Sequence, residues 1–245
     1  MKIAVFGVNG RMGTQVCEAV TEADGLSLVA GIDIGDPREP ALAADVAVDF
    51  THPDSVMDNL SWCIEHGIGA VVGTTGFTPQ RLDQVRAMLG PEPTVGVLIA
   101  PNFSIGAVLM MYFSQMAAPY FDSVEIIEAH HTAKADAPSG TAATTARMVA
   151  EARAQAGSAP MPDATTHAVE GARGAEIDGV RVHSVRLPGL IAQQEVRLAS
   201  SGETLTVIND ARSRACYMPG VLRGIQWVGL HPGLTVGLEP VLGIR

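Results

Sequence analysis

The chain is poor in cysteine and in basic residues, and both shortages exclude classes of protein. Its three cysteines, Cys17, Cys63 and Cys216, are widely spaced and odd in number, which favours neither a disulfide framework nor a CxxC metal site. Lys and Arg number 16 against 26 Asp and Glu, giving a formal net charge of -10. No basic run supplies the clustered cations that nucleic-acid phosphates require. We therefore expect a reducing compartment and no nucleic-acid partner.

Long apolar runs are also missing from the 245 residues. No segment approaches the roughly 20 apolar residues that span a bilayer. Because a strand-like run already occupies residues 2–6, we expect no basic leader with a cleavage site. A hydrophobic content of 47% is enough for an ordinary buried core. We expect a globular protein with a cytoplasmic location and no membrane partner.

From residue 1 to about 103, the sequence alternates short β-branched runs with helical ones. This alternation is typical of βαβ units around a parallel sheet. The predicted strands are 2–6, 26–31, 46–50, 70–73 and 95–100, and the predicted helices are 14–22, 53–66 and 78–89. Open α/β sheets bind ligands outside the carboxyl ends of their strands, so the segments after the strands should line one crevice.

After residue 104 the pattern changes and predicts a second unit. It contains helices at 105–118 and 141–156, a strand at 123–129, an exposed arm at about 158–178, and strands at 181–187, 191–199 and 203–209. Turn residues between the last three strands favour an antiparallel meander. A helix at 217–228 and an apolar segment at 233–244 follow, and that segment is a candidate to cross back to the first domain.

We therefore predict an α/β fold class with two domains. Residues 1–103 and 214–245 should form a Rossmann-like, doubly wound parallel sheet domain that binds a dinucleotide. Residues 104–213 should form an α+β domain with a mixed or antiparallel open sheet, which binds the substrate and mediates oligomerisation.

A glycine-rich segment, Gly7-Val8-Asn9-Gly10-Arg11-Met12-Gly13, follows the first predicted strand. Its GxxGxxG spacing is a variant of the dinucleotide fingerprint, in which glycines permit a tight turn and close approach to a pyrophosphate. Asp33 follows about 20 residues later, where a carboxylate accepts ribose hydroxyls and slightly favours NADH. Arg11 offers a positive charge to a 2′-phosphate, so NADPH remains a possible coenzyme as well. The alternatives are an ordinary strand-to-helix turn, a solvated Asp33 and a surface Arg11.

Two further loops belong to the same predicted crevice. Gly73-Thr74-Thr75-Gly76 ends a buried strand, and its backbone and hydroxyl groups could reach a nicotinamide carboxamide. A simple loop flanked by glycines is the alternative there. Pro101-Asn102-Phe103 follows the next strand and is expected at the same edge of the sheet.

The stretch from Glu128 to Ala142 carries two imidazoles, an amine and a Ser-Gly-Thr turn. His changes charge near neutral pH and Lys keeps a compact positive charge, so His130 and Lys134 can bind an acid and hand it a proton. Residues 139–141 resemble a helix start, whose N–H groups and dipole attract a carboxylate. We predict a dicarboxylate site; a surface histidine pair and a plain helix cap are the alternatives.

Zinc is a weaker interpretation of this stretch. Adjacent histidines have poor chelate geometry and no third ligand occurs at familiar spacing, so we expect no metal. Asp136 either orients Lys134 or caps a turn, and we favour a structural role.

Taken together, these motifs resemble the 4-hydroxy-tetrahydrodipicolinate reductases, also called dihydrodipicolinate reductases, of lysine and diaminopimelate biosynthesis. The resemblance covers nearly the whole chain. Besides the two main stretches, it rests on Val48–Thr51, Gly73–Gly76, Ala100–Gly106 and His183–Gly189. It implies a two-domain oxidoreductase, typically a homotetramer, in which NADH or NADPH gives a hydride to C4 of a cyclic dicarboxylate. Water is lost from the hydroxylated precursor.

The resemblance also implies roles for individual residues. His130 and Lys134 would be catalytic, and His131, Gly140 and Thr141 would contact substrate carboxylates. The cofactor contacts would be Gly7, Val8, Asn9, Gly10, Arg11, Met12, Asp33, Gly73, Thr74, Thr75, Ala100, Pro101, Asn102 and Phe103. Gln193 and Asn209 depart from the family, since many members have His there.

Two other functions compete with the reductase. One is another two-domain NAD(P)-dependent dehydrogenase acting on a small acid or semialdehyde, which the absence of an obvious nucleophilic cysteine disfavours. The other is a nucleotide-sensing protein without turnover, which the presence of both His130 and Lys134 disfavours.

Overall fold

A computed structural model of the chain, which describes residues 1–244, divides into two compact units. The first unit consists of residues 1–105 and the segment from 214 onward; the second consists of residues 106–213. None of the helices in the described part of the chain is both long and apolar enough to cross a membrane.

The strands are β1 (Lys2–Phe6), β2 (Ser27–Ile32), β3 (Val46–Asp49), β4 (Gly69–Val72), β5 (Gly96–Ile99), β6 (Ser123–His130), β7 (Ala175–Ile177), β8 (Val180–Arg186), β9 (Ala192–Ser200), β10 (Glu203–Ala211) and β11 (Gly233–Val236). The α-helices are α1 (Arg11–Glu22), α2 (Val56–Glu65), α3 (Pro79–Leu89), α4 (Ile105–Ala117), α5 (Gly140–Gln155) and α6 (Met218–Val228). Most predicted boundaries lie within three residues of these.

The first unit holds a six-stranded sheet in the order β11-β5-β4-β3-β1-β2, and all neighbouring pairs are parallel. Every residue of β3, β4 and β5 is buried. Such continuous apolar strands are typical of a parallel sheet covered on both faces. The predicted α/β class is confirmed. β11, near the end of the chain, adds the sixth strand by pairing with β5.

The second unit holds a mixed five-stranded sheet in the order β10-β9-β6-β8-β7. β6 runs parallel to β8 and antiparallel to β9. Its alternate residues Val124, Ile126 and Glu128 are buried, which is the period-2 pattern of a strand with one covered face.

The predicted meander is wrong, because β8 and β9 follow one another in sequence but β6 lies between them. Bypassing one strand requires about 10 Å, twice the spacing of neighbouring strands. The five-residue connection 187–191 can span that distance, since an extended residue covers about 3.3 Å. Alternating polarity identifies strands but does not give their spatial order, so the sequence pattern did not reveal the insertion.

The arm after α5 is largely exposed, as predicted, and it ends in the short strand β7, which the sequence pattern did not reveal. The Arg153 side chain, only 6% exposed, holds the start of this arm. It donates to the carbonyls of Ala118 at 3.1 Å and Ala159 at 2.9 Å. A buried guanidinium is stable here because backbone carbonyls satisfy its donors.

Candidate active site

The glycine-rich loop of the first unit turns sharply between β1 and α1. Gly7 has φ +81°, a left-handed conformation that glycine adopts without steric cost. Its N–H donates to the Ile32 carbonyl at 2.8 Å, and its own carbonyl accepts from the Gly10 N–H at 3.0 Å. A Cβ on Gly13 would lie 2.0 Å from the Gly7 oxygen. The first and third glycines are therefore required by the backbone path itself.

The start of α1 has the properties of an anion site. Gly10 is the N-cap residue, no side chain caps the helix, and the first turn of α1 contains no acidic residue. Asn9, Gly10 and Arg11 are exposed. Helix N-termini present unpaired N–H groups and a positive dipole to phosphate, so the loop fits a dinucleotide pyrophosphate.

Asp33 stands beside this loop, at the end of β2. Its Oδ1 accepts the Ile34 N–H at 2.8 Å and its Oδ2 accepts the Asn9 N–H at 2.8 Å. These two backbone donors, Ile34 first, lower the pKa of Asp33 below its ordinary 3.8. The side chain is thus an ionised acceptor fixed next to the glycine loop.

A buried network organises the other loops at this edge of the sheet. Asp49, 4% exposed, ends β3 and accepts the hydroxyls of Thr51 at 2.7 Å and Thr74 at 2.8 Å. Its second oxygen accepts the Asn59 amide at 2.8 Å. The Thr74 hydroxyl therefore supports the loop through Asp49, whereas Thr75 is exposed.

Aromatic packing places the neighbouring segments. A Cβ on Gly73 would lie 2.0 Å from the Phe50 ring, so only glycine allows β4 to end against that ring. Phe50 in turn packs on Phe103, with ring centroids 5.8 Å apart. Ala100 is buried, Pro101 is exposed, and the Asn102 side chain accepts the Ser104 N–H at 2.8 Å.

In the second unit, His130 is the last residue of β6 and Glu128 lies two residues earlier, on the same face of the strand. The His130 Nδ1 is 2.6 Å from the Glu128 Oε2. The Glu128 side chain is fully buried and the His130 side chain is 14% exposed. The imidazole is therefore anchored from within the protein by a carboxylate.

Arg186 completes this cluster from β8, where it pairs in register with His130. Its two terminal nitrogens each lie 2.8 Å from an oxygen of Glu128. Burial raises the pKa of Glu128, but hydrogen bonds from Arg186 and its neighbours outweigh burial and hold it below the ordinary 4.5. Glu128 is consequently ionised at neutral pH.

The pKa of His130 is lowered from its ordinary 6.5. Burial is the main cause, and the nearby positive charges of Lys134 and Arg186 add to it, while Glu128 raises the value without cancelling the shift. His130 is therefore mostly neutral at pH 7.

Lys134 lies in the loop after β6, and its Nζ is 2.7 Å from the Asp136 Oδ1. This contact and the Gly140 N–H both lower the pKa of Asp136. Ser139 caps α5 by accepting the Ala142 N–H at 3.2 Å. Two of the donors predicted for a substrate carboxylate, the Lys134 amine and the Gly140 N–H, thus hold the Asp136 carboxylate in this structure.

His130, Lys134, Gly140 and Thr141 lie on the single segment that runs from the end of β6 to the start of α5. Arg186 contacts this segment twice, because it binds Glu128 and also donates to the Asp136 carbonyl at 2.7 Å. His131 is half-buried at the start of the loop. Gln193 pairs with Ala129 across β6 and β9, and Asn209 pairs with Gln194 across β9 and β10.

Sequence reasoning missed Glu128, Arg186 and Asp49 as members of these clusters. One signal was available for Glu128, because an acidic residue on the apolar face of a strand, two residues before a histidine, shares that face. Arg186 is 58 residues away from Glu128, and only the strand pairing brings them together.

Metal-binding clusters of three or more His, Cys, Asp or Glu side chains do not occur among residues 1–244. The cysteines are also unsuited to nucleophilic work. Burial raises the pKa of Cys63 to about 12, and it also raises those of Cys17 and Cys216. A thiol, not a thiolate, therefore dominates at each position.

Family models match both parts of the chain. Residues 1–103 match the N-terminus of dihydrodipicolinate reductase and residues 106–242 match its C-terminus. The 4-hydroxy-tetrahydrodipicolinate reductase of Thermobifida fusca is 60% identical over 245 residues, covering 100% of both chains. That of Cutibacterium acnes is 56% identical with the same coverage.

Solved structures agree with these matches. A dipicolinate-bound dihydrodipicolinate reductase from Paenisporosarcina sp. TG-14 superposes with a TM-score of 0.86 and 38% identity, over 98% of each chain. A probable dehydrogenase from Thermotoga maritima shares the fold, with a TM-score of 0.65 at 12% identity. With matched sequence over nearly all its length, this chain belongs to the dihydrodipicolinate reductase family.

Proposed function

We propose that this chain reduces 4-hydroxy-tetrahydrodipicolinate to tetrahydrodipicolinate in lysine and diaminopimelate biosynthesis. In the balanced reaction, the substrate, NAD(P)H and one proton give tetrahydrodipicolinate, NAD(P)⁺ and water. The main support is that, in a chain of this family, His130 pairs with the buried carboxylate of Glu128. Lys134 lies in the loop that leads from His130 to the start of α5. That arrangement supplies both a titrating group and a cation for an acidic substrate.

The first unit fits a nicotinamide dinucleotide because its glycine loop, open α1 start and ionised Asp33 provide the backbone donors and the ribose acceptor that such a ligand needs. The reduced nicotinamide supplies a hydride when bound. The residues proposed to hold it are Gly7, Val8, Asn9, Gly10, Arg11, Met12, Asp33, Gly73, Thr74, Thr75, Ala100, Pro101, Asn102 and Phe103.

A slight preference for NADH is part of the proposal. The ionised Asp33 accepts ribose hydroxyls and repels a 2′-phosphate. Arg11 is exposed in the same loop and offsets that repulsion, so NADPH should also be used.

His130 and Lys134 are proposed to move protons, and the three neighbours His131, Gly140 and Thr141 to bind substrate carboxylates. Asp136 now holds the Lys134 amine and the Gly140 N–H. A substrate carboxylate that takes these donors must displace the side chain of Asp136. The proposed site therefore exchanges one carboxylate for another, which keeps the Lys134 charge compensated.

The domain roles, the assembly and the location complete the proposal. Residues 1–103 with 214–245 bind the dinucleotide, and residues 104–213 bind the substrate and form a homotetramer in the cytoplasm, without a metal. The outer face of the second unit's sheet offers some apolar surface for assembly, because Ile208 is 54% exposed there, in a row that continues through Glu195 to Ile127. Sedimentation velocity measures the assembly directly.

The activity is tested by oxidation of NADH or NADPH, followed at 340 nm, with freshly condensed pyruvate and aspartate semialdehyde. Omission of the semialdehyde is the control for background oxidation. His130→Gln should lower kcat with little change in KM. Failure of the wild-type chain to oxidise either coenzyme would contradict the proposed function.

A further inference from the structure

We infer that Glu128 is a positioning residue: its carboxylate fixes the His130 proton on Nδ1 and thereby makes Nε2 the nitrogen that exchanges a proton with the substrate. The inference rests on the proposed function and extends it to a buried pair, Glu128 and Arg186. Neither belongs to the residues proposed to touch substrate or coenzyme.

The first step is the state of the carboxylate. Glu128 accepts two hydrogen bonds from Arg186 at 2.8 Å each and one from the Ser139 N–H at 3.2 Å. A Ser184 side-chain hydrogen bond also stabilises its charge, and one of its oxygens lies 2.6 Å from the His130 Nδ1. A protonated carboxyl would have to use one of its oxygens as a donor. Arg186 and the Ser139 amide only donate, and the hydrogen bonds and charge of Arg186 and its neighbours hold the pKa of Glu128 below its ordinary 4.5 despite burial, so the carboxylate is ionised.

The second step is the state of the imidazole. An ionised carboxylate only accepts hydrogen bonds, so the Nδ1 at 2.6 Å must carry a proton. In the neutral ring that leaves the lone pair on Nε2. A carboxylate on one ring nitrogen holds the ring in one tautomer and stabilises the cation when the other nitrogen is protonated.

The third step is the rigidity of the cluster. Arg186 is itself fixed by donating to the Val185 and Asp136 carbonyls at 2.7 Å each. The Asp136 side chain holds the Lys134 amine. One guanidinium thus connects the anchor of His130 to the loop that carries Lys134, and the two proton-moving residues share one support.

The same strand offers a matched control on its other face. Glu125 also pairs with an imidazole, that of His183 at 2.8 Å, and with Arg173. However, the Glu125 side chain is 32% exposed, whereas that of Glu128 is fully buried. Glu125 lies an odd number of residues from both Glu128 and His130, so it faces away from them.

The test compares Glu128→Gln with Glu125→Gln in the full-length enzyme. Neutralising Glu128 removes the charge that raises the pKa of His130 and allows the amide to donate to Nδ1, which reverses the tautomer. We expect kcat to fall about 10- to 100-fold, a usual loss for a residue that orients another, with KM within about threefold because a positioning role spares substrate contacts. The limb of the kcat profile that reports the titration of His130 should move to lower pH.

A spectroscopic measurement does not depend on turnover. In ¹⁵N-histidine-labelled protein, the His130 signals, identified by their loss in His130→Gln, should show a protonated Nδ1 and an unprotonated Nε2 at pH 7.5. Glu128→Gln should mix or reverse the two, while Glu125→Gln should leave them unchanged. If Glu128→Gln does not fold because Arg186 loses its partner, the double variant Glu128→Gln with Arg186→Gln restores charge balance and takes its place.

The outcomes separate this inference from the proposed function. An inactive wild type contradicts the function, and its His130 tautomer still tests the positioning. An active wild type whose Glu128→Gln variant keeps the same kcat, pH profile and tautomer overturns the positioning role alone. A wild-type His130 protonated on Nε2 overturns it as well.

Discussion

The glycine loop and the His130 to Thr141 segment are both proposed to bind anions, but they are built from different parts of the chain. The loop uses backbone N–H groups, and its essential side-chain property is the absence of a Cβ at Gly7 and Gly13. The segment uses an imidazole and an amine held by buried or neighbouring carboxylates. Substitutions in the glycine loop should therefore weaken binding by steric obstruction. Substitutions in the His130 to Thr141 segment should weaken binding or catalysis by removing a charge or a proton.

The largest expected effect is that of Lys134→Ala. It removes both a carboxylate partner and a proton donor, so kcat should fall about 10²- to 10⁴-fold and KM should rise. Lys134→Arg is the matched variant, since it keeps the charge but holds its proton too tightly to donate it. It should recover KM more than kcat in initial-rate measurements. An unchanged kcat in Lys134→Ala would remove the proton-transfer role.

Gly13→Ala should give the next largest effect. Its Cβ would lie 2.0 Å from the Gly7 oxygen, so the loop must move and the coenzyme Kd, measured by fluorescence titration, should rise about 100-fold, the equivalent of about 2.7 kcal/mol. Gly90→Ala is not a fair control, because Gly90 has φ +70°. Gly140→Ala is the fair control, because a Cβ there meets nothing within 4 Å. If Gly140→Ala weakened coenzyme binding as much as Gly13→Ala does, the loop would have no specific role in that binding.

Asp33→Ala should weaken NADH binding about tenfold, the equivalent of about 1.4 kcal/mol, and NADPH binding less. The reason is that the ionised carboxylate favours ribose hydroxyls and opposes a 2′-phosphate. Asp33→Asn is the matched variant, because it removes the negative charge but keeps an oxygen that can accept the Asn9 N–H. It therefore distinguishes the effect of the charge from the effect of supporting the loop. Equal losses for the two coenzymes would mean that Asp33 does not reach the ribose.

Gly140→Ala should change only the binding of the substrate. A Cβ at Gly140 meets nothing within 4 Å, and alanine is a better helix former than glycine, so thermal stability should be kept. The methyl group would, however, stand beside the proposed carboxylate position and raise the substrate KM a few-fold, by the cost of about 1 kcal/mol or less that a small displacement implies. An unaltered KM would place the carboxylate elsewhere.

The smallest effect is on the pH dependence of stability. Because the pKa of folded His130 lies below 6.5, the unfolded chain binds that proton more readily, and the free energy of unfolding should fall as pH drops below 6.5. The lowered pKa of Glu128 adds a second loss below about pH 4.5. Between pH 6.5 and 4.5, the free energy of unfolding measured with urea should fall more steeply in the wild type than in His130→Gln. The same dependence on pH in both proteins would contradict the lowered pKa of His130.

Much of the fold was predictable because its signals are local. The alternation of apolar runs predicted the parallel sheet, and the glycine spacing predicted the turn that Gly7 makes at φ +81°. The order of β6, β8 and β9 was not predictable in this way, since strand polarity carries no information about neighbours. The same limit applies to the Thr74 hydroxyl, which is held by Asp49, 25 residues earlier.

The sequence by itself determined the chemistry available to this protein: a glycine loop, an acidic residue after the second strand, and a histidine and a lysine before a helix start. Only the tertiary structure decided how that chemistry is held. Glu128 meets Arg186 across 58 residues because β6 and β8 pair in parallel register. Such contacts depend on register and burial, which arise from the packed sheet and are not written in any short segment.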